Sequence, residues 1–358
     1  MDSTLDIIIE TKGETAGGRG VALDDGTGVQ SQALDFNTAA YANLVQPKGF
    51  LYHSNPYYSG PVSNSRTFNS SGGAVRVERF DTGQYTVTFD NLKSRLNGQE
   101  HVQVKPAADG LTGDLVCAAA GRGNGVVFFY VFCMRNGEPR DMPFEVQVFD
   151  HDVQAAFAAI GKNGSASNYR KFSRSVRDSR GRYYIFFKKD PYFSDGARPV
   201  AFVTTKRPDI NCELYAIDTR QQRPDEYGVL VDCYDRDGRR TDTQFNVFVT
   251  AKPYRGGLAL VIDDGTQVWD QYSYNWTGGD ITVTHTGFGR YTVNFRGLAD
   301  YWSRDGTAMV TAHGDENESC AVSGPRRQGD DVVVDVTCSR PGGGAFYDSR
   351  YTLAVMRR

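Results

Sequence analysis

Gly83-Gln84-Tyr85-Thr86-Val87-Thr88-Phe89 is written again as Gly181-Arg182-Tyr183-Tyr184-Ile185-Phe186-Phe187, and a third time as Gly289-Arg290-Tyr291-Thr292-Val293-Asn294-Phe295. In each copy large apolar residues alternate at period two with mostly polar ones. That is the pattern of a β-strand with one face in a core, and a glycine punctuates its start. One strand written three times, about a hundred residues apart, predicts three homologous modules. The expected fold class is all-β: three tandem immunoglobulin-like β-sandwich modules at 48–150, 151–253 and 254–358, behind an N-terminal extended arm over 1–47.

At 358 residues the chain is too long for one core and suits three modules of ordinary size. Its 39% hydrophobic and 23% charged residues give a globular profile, and a formal charge of −3 argues against nucleic acid or a membrane surface as a partner bound by bulk electrostatics. No apolar run approaches the roughly 20 residues of a membrane-spanning helix. The opening Met-Asp-Ser-Thr-Leu-Asp-Ile-Ile-Ile-Glu lacks a basic n-region and a long h-region, so a secretory signal has been removed or never existed. Within the arm, Thr4–Thr11 reads as a lone strand that must dock on its own first module or add to a second copy of the chain.

Strands are predicted near Gly49–His53, Ala74–Phe80, His101–Lys105, Asp114–Ala119, Gly125–Cys133 and Pro143–Phe149 in the first module. The third repeats the plan at Leu258–Ile262, Val268–Tyr274, Ile281–Thr286, Ala308–His313, Ser319–Ser323, Asp331–Cys338 and Arg350–Val355. Asn97-Gly98, Asp109-Gly110 and Asn136-Gly137 are turn signals. Asn69-Ser70-Ser71-Gly72-Gly73 answers Asn275-Trp276-Thr277-Gly278-Gly279. Both read as tight turns and also spell glycosylation sequons. The middle module lacks this turn and is the divergent copy.

Six cysteines fall two per module: Cys117 with Cys133, Cys212 with Cys233, and Cys320 with Cys338, each pair flanking a turn between predicted strands. The spacing from Tyr183 to Cys212 equals that from Tyr291 to Cys320. Zinc is the competing reading, but no C-x-x-C or histidine cluster accompanies the cysteines, so disulfides are expected. Each would close a loop of about 20 residues, worth roughly 3 kcal/mol. Such bonds place the protein extracellularly or at the cell surface, the periplasm being the other oxidising choice.

Past the second cysteine every module ends alike, at Asp141-x-x-Phe144-x-Val146, Asp242-x-x-Phe245-x-Val247 and Asp348-x-x-Tyr351-x-Leu353. The aspartate is expected to accept backbone N–H bonds where the last strand begins. Asp235-Arg236-Asp237-Gly238 offers calcium an acidic loop, yet the other modules lack the extra acids; neither metal nor cofactor is expected. With Tyr-Asn-x-Thr-Gly-Gly, Val-Thr-Val, Gly-x-Tyr-x-Val-x-Phe, a cysteine pair and Asp-x-x-Phe in view, the chain from about residue 49 resembles a loosely defined group of bacterial secreted proteins built of tandem disulfide-bearing β-sandwich repeats. The resemblance implies export and sandwich modules, and brings no activity or site residues with it.

His53, His101, His151, His285 and His313 form no metal-binding spacing, and no nucleophile elbow or phosphate loop is present. Two surfaces could bind. Arg170, Lys171, Arg174, Arg177, Arg180 and Arg182 make a basic ribbon, suited either to an anionic polymer or to blocking edge association. Trp269, Trp276 and Trp302 all lie in the third module, suited to stacking on a sugar or to packing. The leading expectation is a structural or adhesive protein without enzymatic activity, with a carbohydrate-binding protein as alternative and a polysaccharide hydrolase or lyase behind it. Partners would be itself, through Thr4–Thr11, or a cell-surface glycan or anionic polymer.

Overall fold

The computed structural model describes residues 47–358 apart from 96–99, 108–113, 121–126, 151–154, 190–197, 219–222, 224, 252–255, 263–264, 302–305, 315, 341–344 and 358. The expected Thr4–Thr11 strand, His151 and Trp302 lie outside the described residues. The chain is all-β, and residues 45–358 form one compact unit.

One strand order occurs three times. The first repeat runs β1 (Gly49–His53), β2 (Val75–Asp81), β3 (Gln84–Phe89), β4 (His101–Pro106), β5 (Leu115–Ala120), β6 (Val127–Arg135) and β7 (Phe144–Phe149). The second runs β8 (Ala156–Ile160), β9 (Phe172–Ser179), β10 (Arg182–Lys188), β11 (Val200–Thr205), β12 (Ile210–Asp218), β13 (Glu226–Asp235) and β14 (Phe245–Thr250). The third runs β15 (Gly257–Ile262), β16 (Ile281–Gly287), β17 (Arg290–Phe295), β18 (Gly306–His313), β19 (Ser319–Gln328), β20 (Asp331–Ser339) and β21 (Arg350–Arg357).

In each repeat the first strand pairs with the last, and the last with the fourth, as β1-β7-β4. The second, third, sixth and fifth form the other antiparallel sheet, as β2-β3-β6-β5. An immunoglobulin constant domain instead pairs its first strand with its second, so the expected likeness extends to two packed antiparallel sheets and not to strand order. Short extra strands, Thr67–Asn69 and Ala166–Arg170, flank β1 and β8.

Alternation decides what each repeat buries. Tyr85, Val87 and Phe89 of β3 meet Phe144, Val146 and Val148 of β7 in the first core, and Tyr183, Ile185 and Phe187 of β10 meet Phe245, Val247 and Val249 of β14 in the second. The disulfides Cys117–Cys133, Cys212–Cys233 and Cys320–Cys338 join directly opposed residues of neighbouring strands, with Cα–Cα distances of 4.2, 4.1 and 4.1 Å. Among the described residues no helix is long and apolar enough to cross a membrane.

The repeated glycine, tyrosine and aspartate are one clamp. Asp141 Oδ1 accepts the Gly83 N–H at 2.8 Å and the Tyr85 hydroxyl at 3.0 Å. Asp242 Oδ1 does the same for Gly181 at 2.8 Å and Tyr183 at 3.2 Å, and Asp348 Oδ1 for Gly289 at 2.6 Å and Tyr291 at 3.1 Å. The carboxylate thus reaches across to the turn before the repeated strand, and not to the start of its own. Gly83, Gly181 and Gly289 have φ of 66°, 71° and 64°, and a Cβ at Gly83 would lie 2.4 Å from the Cys133 carbonyl oxygen. Only glycine fits there.

The tandem arrangement closes on itself. The residue after each motif aromatic faces another repeat: the Glu145 carboxylate accepts the Ala308 N–H at 3.2 Å, the Asn246 amide donates to the Val102 carbonyl at 3.1 Å, and the Thr352 hydroxyl donates to the Ala201 carbonyl at 2.9 Å. The strand pairings make Val102, Ala201 and Ala308 equivalent positions, opposite Val148, Val249 and Val355. The first repeat therefore holds the third, the second the first, and the third the second. Bridges between Ala107 and Val322, and between Leu214 and His313, follow the same sense. Phe149, Phe157, Phe202, Phe248, Met309 and Met356 fill a fourth apolar cluster between the repeats.

Candidate functional site

Two regions could carry a function: the junction where the repeats meet and the faces they turn outward. At the junction the fourth strands β4, β11 and β18 lie buried on both faces. The Lys105 ammonium donates to the Val203 carbonyl at 2.5 Å, Thr204 Oγ1 to Gln103 Oε1 at 2.5 Å, and Val203 N–H to Thr311 Oγ1 at 3.1 Å. A cavity of about 20 Å³ sits beside them, lined among others by Lys105, Thr204, Asn211, Glu318 and Ser319, so all three repeats contribute. That is room for about one water molecule and no larger ligand.

Burial sets the ionisation here. It pulls the Lys105 ammonium down to about 7 and the His101 imidazole, which lies against the Phe157 and Phe248 rings, down to about 3. On β12 the Glu213 carboxylate accepts the Asn317 N–H at 3.2 Å and the Glu318 N–H at 2.6 Å, and burial pushes it up to about 8. Glu145, also fully buried, is paired with Arg66 and accepts the Thr307 hydroxyl at 2.9 Å. These groups join repeats to one another. His53 and His313 are likewise buried and held neutral, each near 4. Among the described residues no group of three or more His, Cys, Asp or Glu could hold a metal ion. In the Asp235 loop the carboxylate accepts the Asp237 and Arg239 N–H groups at 3.1 and 2.9 Å, as a turn requires.

The residues of the predicted basic ribbon do form a hairpin, β9 with β10. Arg177 is bidentate to Asp242, at 2.9 and 2.7 Å, in the register position that Arg79 holds opposite Asp141 and His285 opposite Asp348. Arg182 is bidentate to the buried Asp232 at 2.7 and 2.6 Å. Arg174 pairs with Glu226 at 3.2 Å and covers the Phe186 ring. Arg170 and Lys171 lie at the corner before β9 and Arg180 at the exposed turn after it.

Val268–Tyr274 is not one strand. Gln267–Val268 and Tyr274–Asn275 flank a single 3-10 turn at Asp270–Tyr272, closed by the Tyr272 N–H on the Trp269 carbonyl at 3.0 Å, with the two rings 4.7 Å apart. Trp269 is 39% exposed, whereas Trp276 packs against the third core. Neighbouring Asn275 donates to the Gly279 and Arg296 carbonyls at 3.0 and 2.9 Å, and Asn69 donates to the Asp90 carbonyl at 2.8 Å. Both amides are buried turn-formers, which leaves the turn reading of the two sequons.

One surface escaped the sequence reading. On β6, Phe128, Tyr130 and Phe132 alternate with the core residues Val127, Phe129, Val131 and Cys133, so three aromatic rings line the outward face. The signal was visible as a strand with aromatics on both alternating sets. No protein-family model, curated protein or solved structure matches the chain.

Proposed function

We propose that the chain is an exported structural or adhesive protein, a surface, matrix or fibre component, in which three tandem sandwich repeats at 48–150, 151–253 and 254–358 form one rigid display body. The cyclic hold of repeat on repeat carries this reading: buried Glu145, Asn246 and Thr352 and half-buried Lys105 all bind neighbouring repeats, as a load-bearing or display scaffold requires. Three cross-strand disulfides support a protein that matures outside the reducing cytosol. Its kinship with bacterial secreted repeat proteins, and self-association through Thr4–Thr11, belong to the same proposal.

The test is retention of the purified chain on cell envelopes, with assays for reducing ends or unsaturated sugars released from polysaccharides run alongside. Retention without turnover is expected. Catalytic release would overturn the reading in favour of an enzyme.

A further inference from the structure

The outward faces of the three β2-β3-β6-β5-type sheets differ at one row. In the first repeat the row is Phe128, Tyr130 and Phe132, with successive ring centroids 5.4 and 6.2 Å apart, and Phe80 meets Tyr130 edge-on at 5.9 Å. Tyr130 is 39% exposed and Phe80 51%. Strand register puts Gly228, Leu230 and Asp232 at the same positions in the second repeat, and Val333, Asp335 and Thr337 in the third. There Asp232 is held by Arg182 and Arg240, and Asp335 by Arg326 and the Thr292 hydroxyl. Each of these two copies sets one ion-paired aspartate in the row and no aromatic ring. The first presents aromatic rings to solvent, which adds nothing to a core and favours association.

We infer that this ladder is a binding platform for an extended, uncharged polysaccharide. Strand β3 sets Gln84, Thr86 and Thr88 directly opposite Phe132, Tyr130 and Phe128, so hydroxyls and an amide border the rings and no charge does. On the next strand Arg76 is tied to Asp90 at 2.9 Å and Arg79 to Asp141 at 2.8 Å, leaving two acids, Glu78 opposite Thr86 and Asp81 opposite Gln84. Among the described residues of β2 and β3 both cations are thus paired and the acids remain, which disfavours an anionic polymer. A pyranose presents an apolar C–H face to an aromatic ring and hydroxyls to its neighbours, which is the chemistry this row displays. The ladder spans about 13 Å along the strand, and its open, pleated surface suits a chain lying along it and not an end group in a pocket.

The inference rests on the adhesive reading only in giving it a ligand, and the two can fail separately. Affinity electrophoresis of the full chain would use gels containing hydroxyethyl cellulose, starch, β-1,3-glucan or xylan, with heparin and alginate as charged probes. Retardation by at least one neutral polymer is expected. Tyr130→Ala alone, and combined with Phe80→Ala, should weaken it about tenfold, the loss of one stacking contact, while Phe288→Ala on the third repeat leaves it unchanged. No neutral retardation, undiminished retardation of both ladder variants, or stronger retardation by heparin or alginate would overturn the inference. If cell envelopes hold parent and ladder variants equally while the polysaccharides ignore both, the ladder falls and the adhesive reading stands. If envelopes hold neither while ladder-dependent retardation persists, the reverse is true.

Discussion

Glu213 should make this protein less stable as pH rises through neutrality, and replacing it should remove that trend. The carboxylate is fully buried on β12 between two repeats, and burial lifts it from an ordinary value near 4.5 to about 8. Below pH 4.5 both folded and unfolded chains carry the proton and the group contributes no slope. Between 4.5 and 8 the folded state binds more protons than the unfolded, so stability falls with increasing pH. Above 8 both are ionised and the slope vanishes. Each unit in that window costs about 1.4 kcal/mol, which amounts to about 3 kcal/mol by pH 7. In Glu213→Gln the amide retains one acceptor for the Asn317 and Glu318 N–H groups, so the variant should be less stable than the parent at pH 5 by about 1–3 kcal/mol. By pH 8 the gap should close or reverse. Urea unfolding of both proteins at pH 5, 6, 7 and 8 measures this directly. Parallel pH profiles for the two would refute the assignment of Glu213 as the titrating group at this junction.

Lys105 titrates in the opposite sense: its folded value, lowered from 10.5 to about 7, makes stability rise with pH between 7 and 10.5, and Lys105→Met should lose that rise in the same urea series. Asp242 is held down to about 2 by the Arg177 guanidinium first, with the Gly181 N–H and Tyr183 hydroxyl adding to it. Its contribution is complete above pH 3.8 and lost as pH falls toward 2, and Asp242→Asn should cost about 1–2 kcal/mol at pH 7 after allowance for a partly exposed pair, read as a lower urea midpoint. Unreduced protein should take up no alkylating reagent by intact mass, and six equivalents after reduction; reducing all three bridges should lower stability by roughly 3 kcal/mol per loop. Removing residues 1–12 should lower the mass measured by light scattering if Thr4–Thr11 exchanges between chains.

Much of the local structure was legible because period two is a strong code. The strands around Tyr85, Tyr183 and Tyr291, their cysteine partners and the turn at Asn136-Gly137, with φ of 50° and 79°, stand where the sequence puts them. Trp269 misled because one alternating run was carried across a 3-10 turn. The meeting of the repeats was not legible. Alternation shows that Glu145, Asn246 and Thr352 leave their own core, but not whether water or another repeat receives them. The hint lay in β11, β14 and β21, whose runs Val200–Thr205, Phe245–Thr250 and Thr352–Met356 contain too few polar residues for a wet face. The aromatic face of β6 was visible by the same test, and the cyclic order, set by pairs about 140 to 160 residues apart, was not.

The three joints are built on one plan, yet each is closed by a different chemistry: a carboxylate at Glu145, a carboxamide at Asn246, an alcohol at Thr352. Copies that arose alike have thereby ceased to be interchangeable. A glutamate set in the place of Thr352 would bring a carboxylate oxygen toward the Ala201 carbonyl, where the native joint needs a donor.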